Sequence, residues 1–250
     1  MRVFAINLRH RPEKKAHILK EGVKSGLNIE IIEAVNGAQM SDGDIHQQAR
    51  DFPECGLSKG EIGCALSHLS IYQKMVDEQC PLALVLEDDV VFSSDMASVL
   101  AALEKVLDAH KPQVVLLSES HYYIQDRAVA LTGSYQLMKI VDAYYAFAYV
   151  INLKAAQALL KHLKPVVYEA DRWGAFQQLG LTDVYCVVPP VAHTIDDSKE
   201  ASDLEMVRAG LTAQRAGYLR TLKKQWPLRV KLKKLFWKLI HRHFVKVVRK

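Results

Sequence analysis

Three adjacent carboxylates end an apolar segment near the middle of the chain. Residues 82–92 read Leu-Ala-Leu-Val-Leu-Glu-Asp-Asp-Val-Val-Phe, which places Glu87, Asp88 and Asp89 side by side. Unpaired carboxylates this close repel one another and resist removal from water. A hard cation such as Mg²⁺ or Mn²⁺ would offset that cost, since it selects carboxylate oxygens. The segment predicts a catalytic metal site at the carboxyl end of a strand. The alternative is an acidic turn that is solvated or caps the next helix.

The composition fits a folded chain. With 250 residues, 50% of them hydrophobic, the sequence can bury a substantial core as one large domain or two small ones. The opening residues contain no signal-peptide-like apolar core, and no later run approaches the roughly 20 apolar residues of a spanning helix. We expect a cytoplasmic protein. The four cysteines lack paired short spacings, so reduced thiols are expected and structural zinc is not.

Charge divides the chain into two regions. Residues 206–250 hold 14 Lys/Arg and no Asp/Glu, whereas residues 1–205 hold 19 Lys/Arg and 28 Asp/Glu. From Pro227 onward, apolar residues recur at helical spacing with basic residues on the opposite side, the pattern of a helix lying on an anionic membrane. The stripe comprises Leu232, Leu235, Phe236, Leu239, Ile240, Phe244 and Val247. We therefore predict a body, 1–205, and a basic, helical, membrane-associating tail, 206–250. Packing of the stripe on the body is the alternative.

The body alternates strands and helices. Predicted strands cover 2–8, 29–34, the acidic segment, 114–117, 143–151 and 183–188. Predicted helices cover 13–21, 58–76, 94–109, 153–163 and 172–179, the last ended by Gly180. Asn152 is expected to cap its helix. This order predicts an α/β fold with a predominantly parallel sheet between helices, where ligands bind at the carboxyl ends of strands.

One helix carries small residues on an unusual face. Ser58 and Glu61 form a capping box at its start. Gly60, Gly63, Cys64 and Ala65 would let a ligand or another backbone approach closely, and Ser67 lies beside them. We expect Glu61 to pair with His68, two turns later, which gives His68 a structural role.

Three segments together resemble glycosyltransferase family 25, the bacterial lipooligosaccharide glycosyltransferases related to collagen galactosyltransferase domains. They are 3–8 (Val-Phe-Ala-Ile-Asn-Leu), 57–68 (Leu-Ser-Lys-Gly-Glu-Ile-Gly-Cys-Ala-Leu-Ser-His) and 84–90 (Leu-Val-Leu-Glu-Asp-Asp-Val). The resemblance covers most of residues 1–195 in the family's order. The chain departs from the family pattern at Ala146–Tyr149, where relatives carry glycine.

The resemblance implies a GT-A-type, Rossmann-like domain that binds a nucleotide sugar, typically UDP-galactose, with a divalent metal, and inverts the anomeric carbon. It implies that Glu87-Asp88-Asp89 is the acidic motif and that His193 is a further metal ligand. It also implies that Asp171 is the catalytic base. Plain N-capping of the helix that follows is the alternative for Asp171.

Within that implied site, residue roles follow from position. Glu87 and Asp89 share one face of an extended strand, so they are the predicted ligands of Mn²⁺ or Mg²⁺, with Asp89 first, and Asp88 faces ribose or sugar. The predicted nucleotide-sugar contacts, all near strand ends or on the glycine-bearing helix, are Ile6, Asn7, Arg11, Asn36, Gly37, Lys59, Ser67 and Asp88.

The predicted function is transfer of a hexose onto a lipid-linked or lipopolysaccharide core glycan. The enzyme would lie on the inner face of the cytoplasmic membrane, held by its tail. Two alternatives come from other classes. The tail could bind nucleic acid, although the body carries no recognisable motif for it, and the carboxylates could serve a metal-dependent phosphohydrolase or nuclease.

Overall fold

Strands from both halves of the chain join one nine-stranded sheet in the computed structural model, which describes residues 1–120, 122–195 and 203–249. The strands of this sheet are β1 (Arg2–Asn7), β2 (Ile29–Glu33), β3 (Leu82–Glu87), β5 (Gln113–Leu116), β6 (Tyr122–Ala130), β7 (Gln136–Asp142), β8 (Ala148–Asn152), β9 (Asp183–Val188) and β11 (Val247–Arg249). Two short strands, β4 (Val90–Phe92) and β10 (Ala192–Thr194), pair with each other.

The helices of the described residues are α1 (Pro12–Lys24), α2 (Asp42–Gln48), α3 (Lys59–Asp77), α4 (Met96–Val106), α5 (Leu153–Leu163), α6 (Trp173–Leu179), α7 (Asp203–Gln225) and α8 (Leu228–Leu239). Short 3₁₀ turns occupy Gly37–Gln39 and His241–Phe244. The predicted α/β alternation is confirmed. Helix α2 was not predicted. The predicted helix is shorter than the observed one for α1 and longer than the observed one for α4.

Most strands of the sheet run in the same direction. The order of the strands is β11-β6-β7-β9-β5-β8-β3-β1-β2, and six of these nine strands point the same way. The other three, β8, β7 and β11, are reversed, and β8 lies between β3 and β5. The predicted strand 143–151 starts only at Ala148, because residues 143–147 form a loop. Strands β6 and β7 form a hairpin.

Alternating strand residues feed two hydrophobic clusters, one on each face of the sheet. Phe4 and Val85 join the cluster that contains residues of α3, α5 and α6. Val3 and Leu84 join the other, which contains residues of α1 and α4. The side-chain period of two in a strand thus buries both faces. Because helices cover both faces of the sheet, polar side chains that could bind a ligand are expected at the strand ends.

Helix ends follow the predicted capping chemistry. The Ser58 hydroxyl accepts from Glu61 N while the Glu61 carboxylate accepts from Ser58 N, so the capping box is confirmed. Asn152 caps α5 by accepting from Ala155 N. Gly180 ends α6 at φ 76°, a left-handed conformation that favours glycine. These local signals fixed where the helices begin and end.

The basic C-terminal region begins on the body. Helix α7 crosses the predicted boundary at residue 205, and Arg215, Leu222, Trp226 and Val230 are buried. Strand β11 then pairs with β6, so Val247, expected on the helical stripe, lies opposite Ile124 in a sheet. The helical stripe ends near Ile240. Among the residues described, no helix combines the length and apolarity needed to cross a membrane.

Candidate active site

The carboxyl ends of β1 and β3 meet at one edge of the sheet. These strands are parallel and Ile6 pairs with Glu87, so Asn7 and Asp88 follow at neighbouring positions. The buried Asn7 amide donates to the Asp88 carboxylate at 2.6 Å and to the Arg11 carbonyl at 3.1 Å. Parallel pairing therefore joins the first strand to the acidic motif and brings together Asn7 and Asp88, two of the predicted nucleotide-sugar contacts.

Burial makes the acidic motif electrostatically costly. It raises the pKa of Asp89 to about 6, with the nearby Glu87 charge adding to the effect and Lys14 opposing it. Lys14 Nζ lies 3.3 Å from Asp89 Oδ2. Burial also raises the pKa of Asp88, against the hydrogen bond from Asn7. A second positive charge beside Asp89 would lower this cost, so the donor set suits a hard divalent cation.

Glu87 points toward helix α3. Its Oε1 lies 3.7 Å from His68 Nε2, and ligand atoms of Cys64, His68 and Glu87 lie within 4.8 Å of one another. In the part of the chain described, these three residues form the one such group. The predicted ligand set of Glu87, Asp89 and His193 is therefore not brought together, because His193 is exposed on β10 opposite Val91.

His68 is held by tyrosines. Its Nδ1 lies 2.8 Å from the Tyr149 hydroxyl, which lies 2.7 Å from the Tyr72 hydroxyl. The predicted pairing of His68 with Glu61 is wrong: two turns of helix separate them, and Glu61 serves the capping box. The burial of His68 is consistent with the predicted structural role. Its imidazole also lies next to Glu87, a carboxylate of the acidic motif.

Asp171 lies beside the loop 143–147. Its Oδ2 accepts from Tyr145 N at 3.2 Å, and Tyr145 has φ 70°. Helix α6 begins at Trp173 with Arg172 as its N-cap, so Asp171 is not the capping residue. In the same loop the Phe147 carbonyl accepts from Glu87 N at 2.8 Å. This loop thus connects Asp171 to the acidic motif through two backbone hydrogen bonds.

Several predicted nucleotide contacts make hydrogen bonds or packing contacts within the fold. Ser67 is buried, accepts from Val35 N and donates to the Gly63 carbonyl. Lys59 Nζ lies 2.7 Å from Asp42 Oδ1 and donates to the Met40 carbonyl. The Ile6 side chain belongs to the core. These residues stabilise the fold. The sequence alone could not show whether a polar side chain at these positions stabilises the fold or binds a ligand.

Gly37 serves backbone packing. A Cβ there would lie 1.8 Å from the Lys59 carbonyl oxygen, and one on Gly63 would lie 2.5 Å from Gly37 N. The close approach predicted on the glycine-bearing helix is therefore to another backbone. Asn36 precedes the 3₁₀ turn, and the exposed Arg11 precedes α1 with Nη1 3.8 Å from Glu13. The backbone carbonyl of Arg11 is linked to the acidic motif by the Asn7 amide, which donates to that carbonyl and to Asp88.

Sequence reasoning missed a buried ion pair at the C-terminal helix. Glu169 binds Arg215 and Arg172, with Arg215 Nη2 2.6 Å from Glu169 Oε2. Burial alone would raise the pKa of Glu169, but the two arginines lower it to about 2. In the sequence, Arg215 is one of many basic residues in the C-terminal region. Its contacts in the folded structure are what distinguish it from the others. The pair attaches α7 to Glu169. Glu169 lies two positions before Asp171 and three before Arg172 in the sequence.

The chain is an α/β protein whose partly buried carboxylates lie at the carboxyl ends of strands, where proteins of this class generally bind ligands. The model of glycosyltransferase family 25 (LPS biosynthesis protein) matches residues 1–173. The chain belongs to this family. The resemblance found in the sequence is thereby confirmed.

Named relatives are similar over the same region. Procollagen galactosyltransferase 2 of Homo sapiens is 26% identical over 168 residues, 63% of this chain and 27% of that protein. A glycosyltransferase 25 family member of Anopheles gambiae is 31% identical over 170 residues, 64% and 28%. Inactive glycosyltransferase 25 family member 3 of Homo sapiens is 29% identical over 167 residues, 63% and 28%. The match spans little more than a quarter of these relatives.

Proposed function

We propose that this chain is an inverting hexosyltransferase that moves galactose from UDP-galactose onto a lipooligosaccharide or lipopolysaccharide core glycan. Membership of a glycosyltransferase family supports the reaction class. The choice of galactose rests on a relative named as a galactosyltransferase. The GT-A-type mode of nucleotide-sugar binding is part of this proposal.

The observation that carries the proposal is the partly buried acidic motif at the ends of β1 and β3. Asp89 has a pKa near 6 because burial and Glu87 oppose its charge. Such an arrangement is unfavourable for the protein alone and becomes favourable when a cation arrives. A relative named as inactive shows that family membership by itself does not guarantee turnover.

Asp89, with Glu87 as second ligand, would hold Mn²⁺ or Mg²⁺. The ion would neutralise charge that develops on the departing diphosphate, in the transition state more than in the ground state. Asn7 fixes the Asp88 carboxylate at 2.6 Å, which pre-orients it for the ribose or the sugar. The exposed Arg11 guanidinium is available to phosphate at the same edge.

Asp171 would take the proton of the acceptor hydroxyl as that oxygen attacks the anomeric carbon. The loop 143–147 joins Asp171 to the acidic motif, since it bonds Asp171 through Tyr145 N and Glu87 through the Phe147 carbonyl. The loop includes Tyr144 and Tyr145, both exposed, as a surface on which a sugar ring could stack. We therefore assign the acceptor to the loop side and the donor to the β1 side.

The C-terminal region would hold the enzyme on the inner face of the cytoplasmic membrane. Large apolar residues are exposed along α8 and the turn after it: Leu228, Leu232, Leu235, Phe236, Leu239, Ile240 and Phe244. Basic residues flank them and no acidic residue follows position 205. An anionic bilayer matches both the apolar and the charged components.

A donor screen tests the proposed function. UDP-galactose, UDP-glucose and UDP-N-acetylhexosamines are incubated with Mn²⁺, with and without a lipopolysaccharide core acceptor, and release of UDP is measured. We expect UDP-galactose to be used fastest and Asp89→Asn to lose activity, while Asp77→Asn, an exposed carboxylate on α3, keeps it. No turnover of any donor by the intact protein would contradict the proposal.

A further inference from the structure

We propose that Cys64, His68 and Glu87 form a site for a transition metal such as Zn²⁺, separate from the hard-cation role of Asp89. The thiol, imidazole and carboxylate ligand atoms lie within 4.8 Å of one another. Cys64 and His68 are four residues apart on α3, so their side chains project from the same face of the helix. Glu87 reaches them from the end of β3.

The strongest evidence is an unpartnered nitrogen. His68 is 2% exposed, and its Nε2 has no hydrogen-bond partner among the described residues. Nε2 faces Glu87 Oε1 at 3.7 Å, which is too long for a hydrogen bond and slightly longer than the roughly 3.3–3.5 Å between a nitrogen and an oxygen ligand of one tetrahedral ion. A buried polar atom without a partner requires an explanation, and a bound ion supplies one.

The tyrosines behind His68 orient its imidazole. Tyr149 and Tyr72 are both buried beside it. Tyr149 can accept from His68 Nδ1–H and donate to Tyr72. Nε2 then carries a lone pair that points toward a carboxylate. Two electron-rich groups facing each other call for a cation between them, and the Tyr149 contact is the outer-shell orientation typical of metal-bound histidine.

The ligand set selects the metal. Thiolate and imidazole favour Zn²⁺ over Mg²⁺ or Mn²⁺, whereas the carboxylate oxygens of Asp88 and Asp89 favour the hard ions. Three protein ligands leave a fourth position open, and the exposure of Cys64 provides an entry path. Glu87 is common to both sites, so zinc at this position would withdraw it from the donor's cation.

Metal titrations test the site without relying on activity. Metal-free protein is titrated with Zn²⁺ and with Co²⁺, whose absorption spectrum reports thiolate ligation and tetrahedral geometry. We expect one equivalent to bind with a thiolate charge-transfer band. Cys64→Ser, at an exposed position, should lose the band and bind Zn²⁺ at least 100-fold more weakly. Tyr149→Phe should weaken binding about 10- to 100-fold.

Matched controls separate this site from the proposed catalytic one. Asp89→Asn and His193→Ala should leave the Co²⁺ spectrum unchanged, while Cys64→Ser should leave Mn²⁺-dependent UDP binding within about twofold. Circular dichroism checks that each variant is folded. A Co²⁺ spectrum without a thiolate band, no bound equivalent, or unchanged Zn²⁺ affinity in Cys64→Ser would each overturn the inference, whatever the donor screen gives.

Discussion

The Asn7 side-chain amide donates to the Asp88 carboxylate across the β1–β3 edge, with 2.6 Å between Nδ2 and Oδ2. Because the same amide also donates to the Arg11 carbonyl, one buried residue positions both the acidic motif and the start of α1. The first strand of the chain therefore controls the geometry of a motif 81 residues later.

Asn7→Ala should weaken UDP binding and stability together. It removes a hydrogen bond to a buried carboxylate, which costs about 1–3 kcal/mol when the partner is left unsatisfied. We expect a lower midpoint of chemical unfolding and about tenfold weaker UDP binding by calorimetry. Asn28→Ala, at an exposed loop position, should change neither. Equal UDP affinity in both variants would refute the positioning role of Asn7.

Asp89→Asn should stabilise the metal-free protein while abolishing metal-dependent UDP binding. A pKa raised to about 6 means that the native state holds this proton more tightly than the unfolded chain, so stability declines as pH rises from about 4 to 6. Removing the charge should recover about 1–3 kcal/mol at pH 7.5. Urea unfolding with EDTA measures it. A destabilised Asp89→Asn protein would contradict the electrostatic argument.

Asp171→Asn should lower kcat by about 10²–10⁴-fold with little change in donor KM, since a general base acts only in the transfer step. The amide oxygen of Asn can still accept from Tyr145 N, so the loop should stay in place. Glu119→Gln, at an exposed position, is the matched control. Near-normal kcat in a folded Asp171→Asn protein would leave Asp171 with the loop-holding role alone.

Arg215→Met should destabilise the protein by about 3 kcal/mol, because it leaves the buried Glu169 carboxylate with one cation less. Arg220→Met, exposed on the same helix, should have an effect below about 0.5 kcal/mol. Chemical unfolding at pH 7.5 provides both values. Similar unfolding midpoints for the two variants would show that α7 contributes nothing through this pair.

The Glu169 pair also predicts acid sensitivity. Its folded pKa, about 2, lies below the ordinary 4.5, so its stabilisation is complete above pH 4.5 and is lost as pH falls toward 2. Glu169→Gln should lack this component, and its unfolding free energy should fall less steeply with acid. Parallel pH profiles for the two proteins would contradict it.

Phe236→Asp combined with Leu239→Asp should abolish co-flotation with anionic vesicles, because it places charge in the exposed apolar stripe. Val23→Asp, 82% exposed on α1, is the control and should float like the parent protein. Equal flotation of all three proteins would remove the membrane role, and binding to neutral vesicles alone would remove its electrostatic part.

Local sequence signals predicted more of the fold than of the site. Capping by Ser58 and Asn152 depends on neighbouring residues, so the sequence was sufficient. The reversal of β8 and the strand β11 depend on pairing between distant segments, which periodicity does not encode. Asn7 and Asp88 lie together because the ends of parallel strands meet. The contacts of Ser67 and Lys59 within the fold could not be predicted, because a polar side chain serves the fold and a ligand equally well.

Strand β11 also has a consequence for how the C-terminal region can be studied. It covers the outer edge of β6 with three residues that end in charge, which is a common protection against edge-to-edge aggregation. Cutting the chain before Val247 would bare the backbone of β6 and invite self-association. Insolubility of a shortened protein would then report an unprotected strand rather than a lost lipid contact.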